Sequence, residues 1–195
     1  MSSGFVTPIT IKDAIDNIVS RNYLLPAIQR KFVWSSYQIE VLFDSIMRSY
    51  PINSFMFWEV KVNKVKNEFK FYQFLTEYRQ FFKEDNPDID TKSNPDFKAV
   101  IDGQQRLTSL YIGLKGSYAY KLPRKWWYDN EENIPTRHLY LNLSNPLPDE
   151  NERQMTFDFQ FLTKQEFEKK FATGDIWFKV NDILKFEKTN DLDNF

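Results

Sequence analysis

The sequence predicts one packed domain of the α+β or α/β class. The chain has 195 residues, enough for one substantial core and too few for two large ones. Hydrophobic residues make up 42% of it and aromatics 17%, with 19 Phe, 10 Tyr and 5 Trp, far more apolar surface than a disordered chain carries. Segments with helical apolar spacing alternate with short apolar runs bounded by turn residues.

Thr10 to about Ser20 reads as a short helix, capped by Thr10, with Asp13 in its first turn and Ile11, Ile15, Ile18 and Val19 on one face. Tyr23 to Ile28 is extended, because Pro26 keeps its predecessor out of the helical region; residues 29–34 form a loop. Ser35 and Gln38 make a capping-box pattern before a helix with Ile39, Leu42, Phe43, Ile46, Met47 and Tyr50 at helical spacing. Asp44 and Arg48 are expected to form a surface ion pair on it, and Pro51 to end it. Strands are expected at Phe55–Val60 and Phe69–Tyr72, a short helix at Leu75–Lys83, and a polar surface insertion at residues 84–96, with two prolines and many acids. Phe97–Ile101 returns to strand, and a helix opens at Gln104, with Leu107, Leu110, Tyr111 and Leu114 on one face and Gly116 closing it. Further strands are expected near Tyr118–Leu122 and Leu139–Leu143, and a helix at Thr163–Phe171. The expected division is a domain over residues 1–150 and a charged, Phe-rich extension over 151–195 that begins a further region of a longer protein. There is no internal repeat or low-complexity segment.

Composition excludes several chemistries. Without cysteine there is no disulfide, no thiolate nucleophile and no Cys-ligated zinc. His138 is the single histidine, so a multi-histidine metal site is ruled out; standing before a strand, it reads as an ordinary surface or edge residue. With 26 basic and 27 acidic residues the formal net charge is −1, so no global positive field recruits nucleic acid, and any such contact needs a local patch. No secretory signal and no membrane span is visible, which makes a cytoplasmic location the expectation.

The functional centre is the strand–turn–helix around Asp102-Gly103-Gln104-Gln105-Arg106. Glycine permits a sharp turn and a close ligand approach. The first N–H groups of a helix lack intrahelical partners, and the helix dipole favours an anion there, so this is a recipe for holding phosphate. Arg106 can grip phosphate oxygens bidentately, Asp102 can hold magnesium or orient a water, and Gln104 and Gln105 can bond phosphate, ribose or base. The plainer reading leaves Asp102 as a cap, Gly103 as a turn and Arg106 as a surface cation. Against it, an arginine in a first helical turn opposes the dipole unless an anion is bound. No Walker A pattern is present. Upstream, Gln29 and Arg30 can reach phosphates or base edges and Phe32 or Trp34 can stack, although Val33 and Trp34 are better read as packing under the following helix. Arg124-Lys125-Trp126-Trp127 either contacts nucleic acid or, as such loops more often do, buries its aromatics and solvates its charges.

Together, Ile28-Gln-Arg-Lys-Phe-Val-Trp34, the helix ending Asp44-Ser-Ile-Met-Arg-Ser-Tyr-Pro-Ile52, the strand ending Trp58-Glu59, and Val100-Ile-Asp-Gly-Gln-Gln-Arg-Leu-Thr-Ser-Leu110 resemble the N-terminal domain of GmrSD-type, modification-dependent restriction endonucleases. The resemblance implies an α+β fold similar to the ParB/sulfiredoxin group, a small mixed sheet flanked by helices. It implies a magnesium-dependent nucleoside triphosphate site, with Asp102 and Arg106 catalytic, Asp102 on the metal, and Gly103, Gln104, Gln105, Arg106 and Thr108 on the nucleotide. It implies sensing of DNA, possibly modified, through Gln29, Arg30 and Trp34, and an HNH-type nuclease domain on the same longer chain or on a partner. This chain has no HNH motif and cannot build one from a single histidine. Where such proteins commonly carry glycine after the Tyr-Pro-Ile turn it has Asn53, which also accepts left-handed geometry. The leading expectation is therefore a nucleotide-hydrolysing regulatory domain of a restriction or phage-defence protein. The alternative expectation is a DNA-binding module without turnover, and a third is an architectural interaction domain.

Overall fold

Three helices begin with a complete capping box. Thr10 caps α1 (Ile11–Val19) with Asp13, Ser35 caps α2 (Ser36–Met47) with Gln38, and Thr163 caps α5 (Lys164–Ala172) with Glu166. In each, the cap side chain accepts the N–H three residues on and is answered by the acid or amide there, satisfying two orphan donors at once. The helix at the expected functional turn, α4 (Gln104–Lys115), has no side-chain cap. The structure, a computed structural model, describes residues 6–28, 30–61, 63–92 and 95–186, so the expected role of Gln29 and the polar stretch after 186 lie outside the described residues.

Two mixed sheets organise the rest, which makes the fold α+β. In the first the order is β2 (Met56–Val60), β5 (Phe97–Asp102), β1 (Tyr23–Pro26), β3 (Phe71–Tyr72), with β1 and β5 parallel and the outer pairs antiparallel. In the second, β4 (Glu77–Arg79) runs parallel to β6 (Ser117–Ala119), and β7 (Thr136–Asn142) is antiparallel to β6, to β8 (Phe159–Leu162) and to β9 (Trp177–Lys179). A 3-10 turn, Val180–Lys185, follows.

Alternation along β1 explains the layers. Tyr23 and Leu25 join the main core with Ile15, Ile39, Phe43, Leu107, Leu110 and Leu139, while Leu24 faces the opposite side with Val60, Phe71, Phe97 and Ala99. That second face is covered by a helix absent from the expectations, α3 (Asn63–Glu68), and by the loop after Glu84. The loop is more than a surface insertion: Ile89 packs on the second core, Thr91 is buried and donates to the Lys66 carbonyl at 3.0 Å, and Gln73 N–H donates to Pro87.

Several other expectations are corrected. The stretch Leu75–Lys83 is a strand and turn, not a helix: Leu75, Tyr78 and Phe82 mimic helical spacing, but a run this short cannot separate the two periods. Val19, Met47 and Tyr50 end exposed rather than on apolar faces. Asp44 is 2% exposed, not on the surface. Its Oδ1 accepts the N–H groups of Thr156 and Phe157 at 2.9 and 2.8 Å, and its Oδ2 pairs with Arg48. His138 is half-buried within β7, its Nδ1 at 3.1 Å from the Gly116 carbonyl, and burial holds its pKa below the usual imidazole value.

Residues beyond 150, expected as an extension, supply β8, α5 and β9, and Phe159 and Phe161 lie in the main core. What binds them is a second acid of α2. Buried Glu40 accepts the Phe161 N–H at 2.8 Å and a bond from Arg153, which also holds Asp158 at 2.9 Å. Burial pushes the Glu40 carboxyl up to about 7. Because the folded value lies above the unfolded one, the stability this group confers is complete below its ordinary carboxylate range and is lost as pH rises to about 7. Urea denaturation between those limits is expected to show stability falling by on the order of 2–3 kcal/mol, and Glu40→Gln is expected to flatten that slope.

Candidate functional site

Strand β5 ends at Asp102, opposite Met56, where a register irregularity between Met56 and Phe57 loosens the pairing. Gly103 follows with φ of 88°, a left-handed conformation that a side chain resists, and α4 begins at once. With no cap present, the N–H groups of its first turn, which have no i−4 carbonyl, are left for a ligand. They border an open cleft of about 260 Å³ lined by Arg30, Trp34, Ile101, Asp102, Gly103, Gln104, Gln105 and Arg106. Eight of the nine residues in the expected site set are described; seven of them line this cleft, Arg30 and Trp34 coming from a segment far upstream of Asp102 to Arg106.

Their side chains divide into two groups. The first is turned inward, to the protein. Gln104 donates to the Arg30 carbonyl at 2.7 Å. Gln105 donates to the Lys31 carbonyl and accepts the Val33 N–H, both at 3.0 Å, as a strand partner would. Arg106, its side chain 17% exposed, donates to the carbonyls of Ile52 and Ser54, sits 4.9 Å over the Phe55 ring and is 3.5 Å from Asp102 Oδ2. The turn it grips is the Tyr-Pro-Ile-Asn segment, where Asn53 takes a left-handed φ of 70°. The two glutamine amides and the guanidinium thus engage backbone carbonyls and one backbone N–H of the protein.

The second group is free to act on a ligand. The Asp102 side chain is 70% exposed, touched only by the distant edge of Arg106 among the described residues. The Arg30 guanidinium has no partner among the described residues, and its backbone is fixed by Gln104. Trp34 forms one wall, packs against the main core, and accepts the Tyr118 hydroxyl on its carbonyl at 3.0 Å. Thr108 is apart from all of them: it faces the core, 1% exposed, one turn past the cleft. His138 is elsewhere, on β7. Among the described residues no group of three or more His, Asp or Glu is placed to hold a metal by itself.

With this geometry in place, comparison decides the family. Residues 11–195 match the family model of the GmrSD restriction endonuclease N-terminal domain. The chain belongs to that family. A 113-residue stretch, 58% of the chain, is also 33% identical to the uncharacterized protein MJ0686 of Methanocaldococcus jannaschii, and it spans 17% of that protein's length. Among the described residues no helix is long and apolar enough to cross a membrane.

What sequence reasoning missed in this chain is the clamp role of Arg106, Gln104 and Gln105. One signal was available: Tyr50-Pro51-Ile52-Asn53 reads as a tight turn, and carbonyls outside helix and strand need donors.

Proposed function

We propose that the cleft before α4 binds the phosphates of a nucleoside triphosphate and hydrolyses it, as the regulatory step of a modification-dependent DNA restriction or phage-defence protein. The observation that carries this reading is the uncapped N-terminus of α4 opening on a cleft that also holds Arg30, an arginine without a partner among the described residues, and an exposed carboxylate, Asp102. The N–H groups and Arg30 would hold phosphate oxygens. A lone hard-oxygen donor beside a phosphate cradle fits magnesium, which takes one or two carboxylates and fills its shell with phosphate and water. Bound there, the ion would neutralise charge on the transferred phosphoryl group. Asp102 would be the metal-side carboxylate, Arg30 the phosphate grip, and Arg106 a positioning residue that keeps the 50–55 turn and Asp102 in register. The cleft volume of about 260 Å³ is below the range of about 300–1,000 Å³ that encloses a drug-sized ligand. The nucleoside therefore lies outside it, and the four ribonucleotides are expected to compete within a few-fold of one another.

Family membership supports a restriction setting with DNA as the molecule acted on and a nuclease partner domain; within it, the reading assigns Gln29, Arg30 and Trp34 to sensing modified DNA and cleavage to an HNH-type domain on the longer chain or a partner. A cytoplasmic location fits that setting. The second reading, a non-catalytic module holding a DNA phosphate, is favoured by one observation: Gln104, Gln105 and Arg106 are engaged by the protein itself.

Calorimetric binding and phosphate release by the full-length protein separate the two. Turnover abolished by Asp102→Ala, with Arg30→Ala weakening nucleotide binding about 10–100-fold, is the expected result. Tight binding without turnover selects the module. No phosphate from any ribonucleotide, and no effect of Asp102→Ala, ends the hydrolysis reading.

A further inference from the structure

We propose that the 81–82 turn and the 124–128 loop together form a stacking platform for the unpaired bases of a nucleic-acid strand, a second site apart from the cleft. Trp126 is 77% exposed and Phe81 67%, and Phe82, Trp127 and Tyr128 are exposed beside them. The aromatics of this loop are therefore displayed, which overturns the reading that buries them. Every exposed large hydrophobic residue in the two segments is aromatic, which offers flat rings on which bases can stack.

Two turns converge to make this surface, and both hold a non-glycine residue in the left-handed region. Phe81 has φ of 67° and Arg124 of 63°. For a bulky aromatic that is uncommon and is sustained by its surroundings. Glu84 accepts the Phe81 N–H at 2.8 Å, and Arg79 and Lys83 exchange backbone bonds across the turn. The Phe81 ring meets Trp127 edge-on at 4.3 Å, and the Lys121 ammonium lies 5.1 Å from the centre of the Trp127 ring. Among the described residues Trp126 and Tyr128 make no ring contact, which leaves their rings for a ligand.

Local charge leaves room for a nucleic acid. Asp129 and Glu131 pair with Arg79, Glu77 with Lys83 and Glu132 with Lys125, while Glu84 is bound by the Phe81 N–H and the Tyr78 hydroxyl. Lys121 is bound to the carbonyls of Leu122 and Lys125 and lies over the Trp127 ring, and Arg124 has no partner among the described residues. Two cations without a carboxylate partner among displayed aromatic rings suit a single strand, whose bases stack on any ring regardless of sequence. They are too few for the dense phosphate contacts that hold a duplex. The platform is tied to the cleft by the Lys31–Asp85 pair at 2.6 Å, which joins the loop after Arg30 to the segment after Phe82.

The test is the fluorescence anisotropy of a fluorescein-labelled oligothymidylate, titrated with full-length protein. Trp126→Ala and Tyr128→Ala are each expected to weaken binding about tenfold, and Trp126→Phe to restore most of it. The same sequence as a duplex is expected to bind more weakly and to be indifferent to Trp126. An oligouridylate in parallel tells DNA from RNA, and either one binding in a Trp126-dependent way supports the platform. These variants leave nucleotide binding in the cleft unchanged, and Asp102→Ala leaves the Trp126-dependent affinity unchanged, so the two sites fail or stand separately. Unaltered oligonucleotide affinity in Trp126→Ala overturns the proposal. So does self-association of the chain that Trp126→Ala abolishes without any effect on oligonucleotide, which would make the patch a protein interface.

Discussion

Asp44→Ala is expected to lower folding stability by about 3–4 kcal/mol, the largest loss from any acidic residue on α2. The carboxylate is buried and holds the N–H groups of both Thr156 and Phe157 on one oxygen and Arg48 on the other. Removing it strands two backbone donors, and these orphaned amides carry most of the cost; Arg48 keeps the Tyr50 hydroxyl. The substitution also releases the 156–161 segment, so the edge of the second sheet at β8 is expected to loosen first. Urea denaturation reads the loss, and hydrogen exchange at Thr156 and Phe157 locates it. Asp44→Asn keeps one acceptor and is expected to cost about half as much. A change below about 1 kcal/mol for Asp44→Ala, the usual range of a surface pair, would return the residue to the role its sequence position suggested.

Gly103→Ala is expected to damage the cleft more than any other single methyl. The left-handed φ of 88° already disfavours a side chain. A Cβ there would stand 2.4 Å from Phe55 Cδ1 and 3.2 Å from an Arg106 nitrogen. The displaced ring is the one beneath the Arg106 guanidinium, so the collision passes to the clamp on Ile52 and Ser54. Strain and overpacking together cost about 2–4 kcal/mol, and nucleotide affinity in the same variant is expected to fall at least about tenfold. Pairing the change with Phe55→Ala separates the causes: recovered stability identifies the collision, and persistent loss identifies the backbone. Wild-type affinity in Gly103→Ala would mean that the ligand does not sit at this turn.

Local chemistry made much of this legible in advance. The capping boxes at Thr10, Ser35 and Thr163 are written within four residues, and those helices start where the pattern puts them. The strand–Gly–helix at 97–116 was legible for the same reason, and so was the position of the cleft. Two kinds of information were not local. Whether Asp44 meets water or two amides depends on a segment 112 residues downstream folding onto α2, and no periodicity within α2 reports that. Likewise, an arginine and two amides beside a glycine look equally suited to a phosphate and to a neighbouring loop. Only the arrival of residues 30–34 and 50–55 shows where those side chains go. The 75–83 stretch failed through ambiguity, since three apolar residues three or four apart serve a strand and turn as well as one helical turn.

The two hydrogen bonds of Gln105, one donated to the Lys31 carbonyl and one accepted from the Val33 N–H, make the loop after Arg30 a borrower of order. Gln104 on the Arg30 carbonyl, buried Phe32 and the Tyr118 hydroxyl on Trp34 hold it elsewhere, and between them one side chain at the head of α4 grips both Lys31 and Val33. The Val33 amide is therefore a resident gauge of the cleft: its solvent exchange follows the grip of Gln105 and not the unfolding of a sheet. A ligand that steadies the first turn of α4 slows that single proton, and one that wins the glutamine for itself sets it loose.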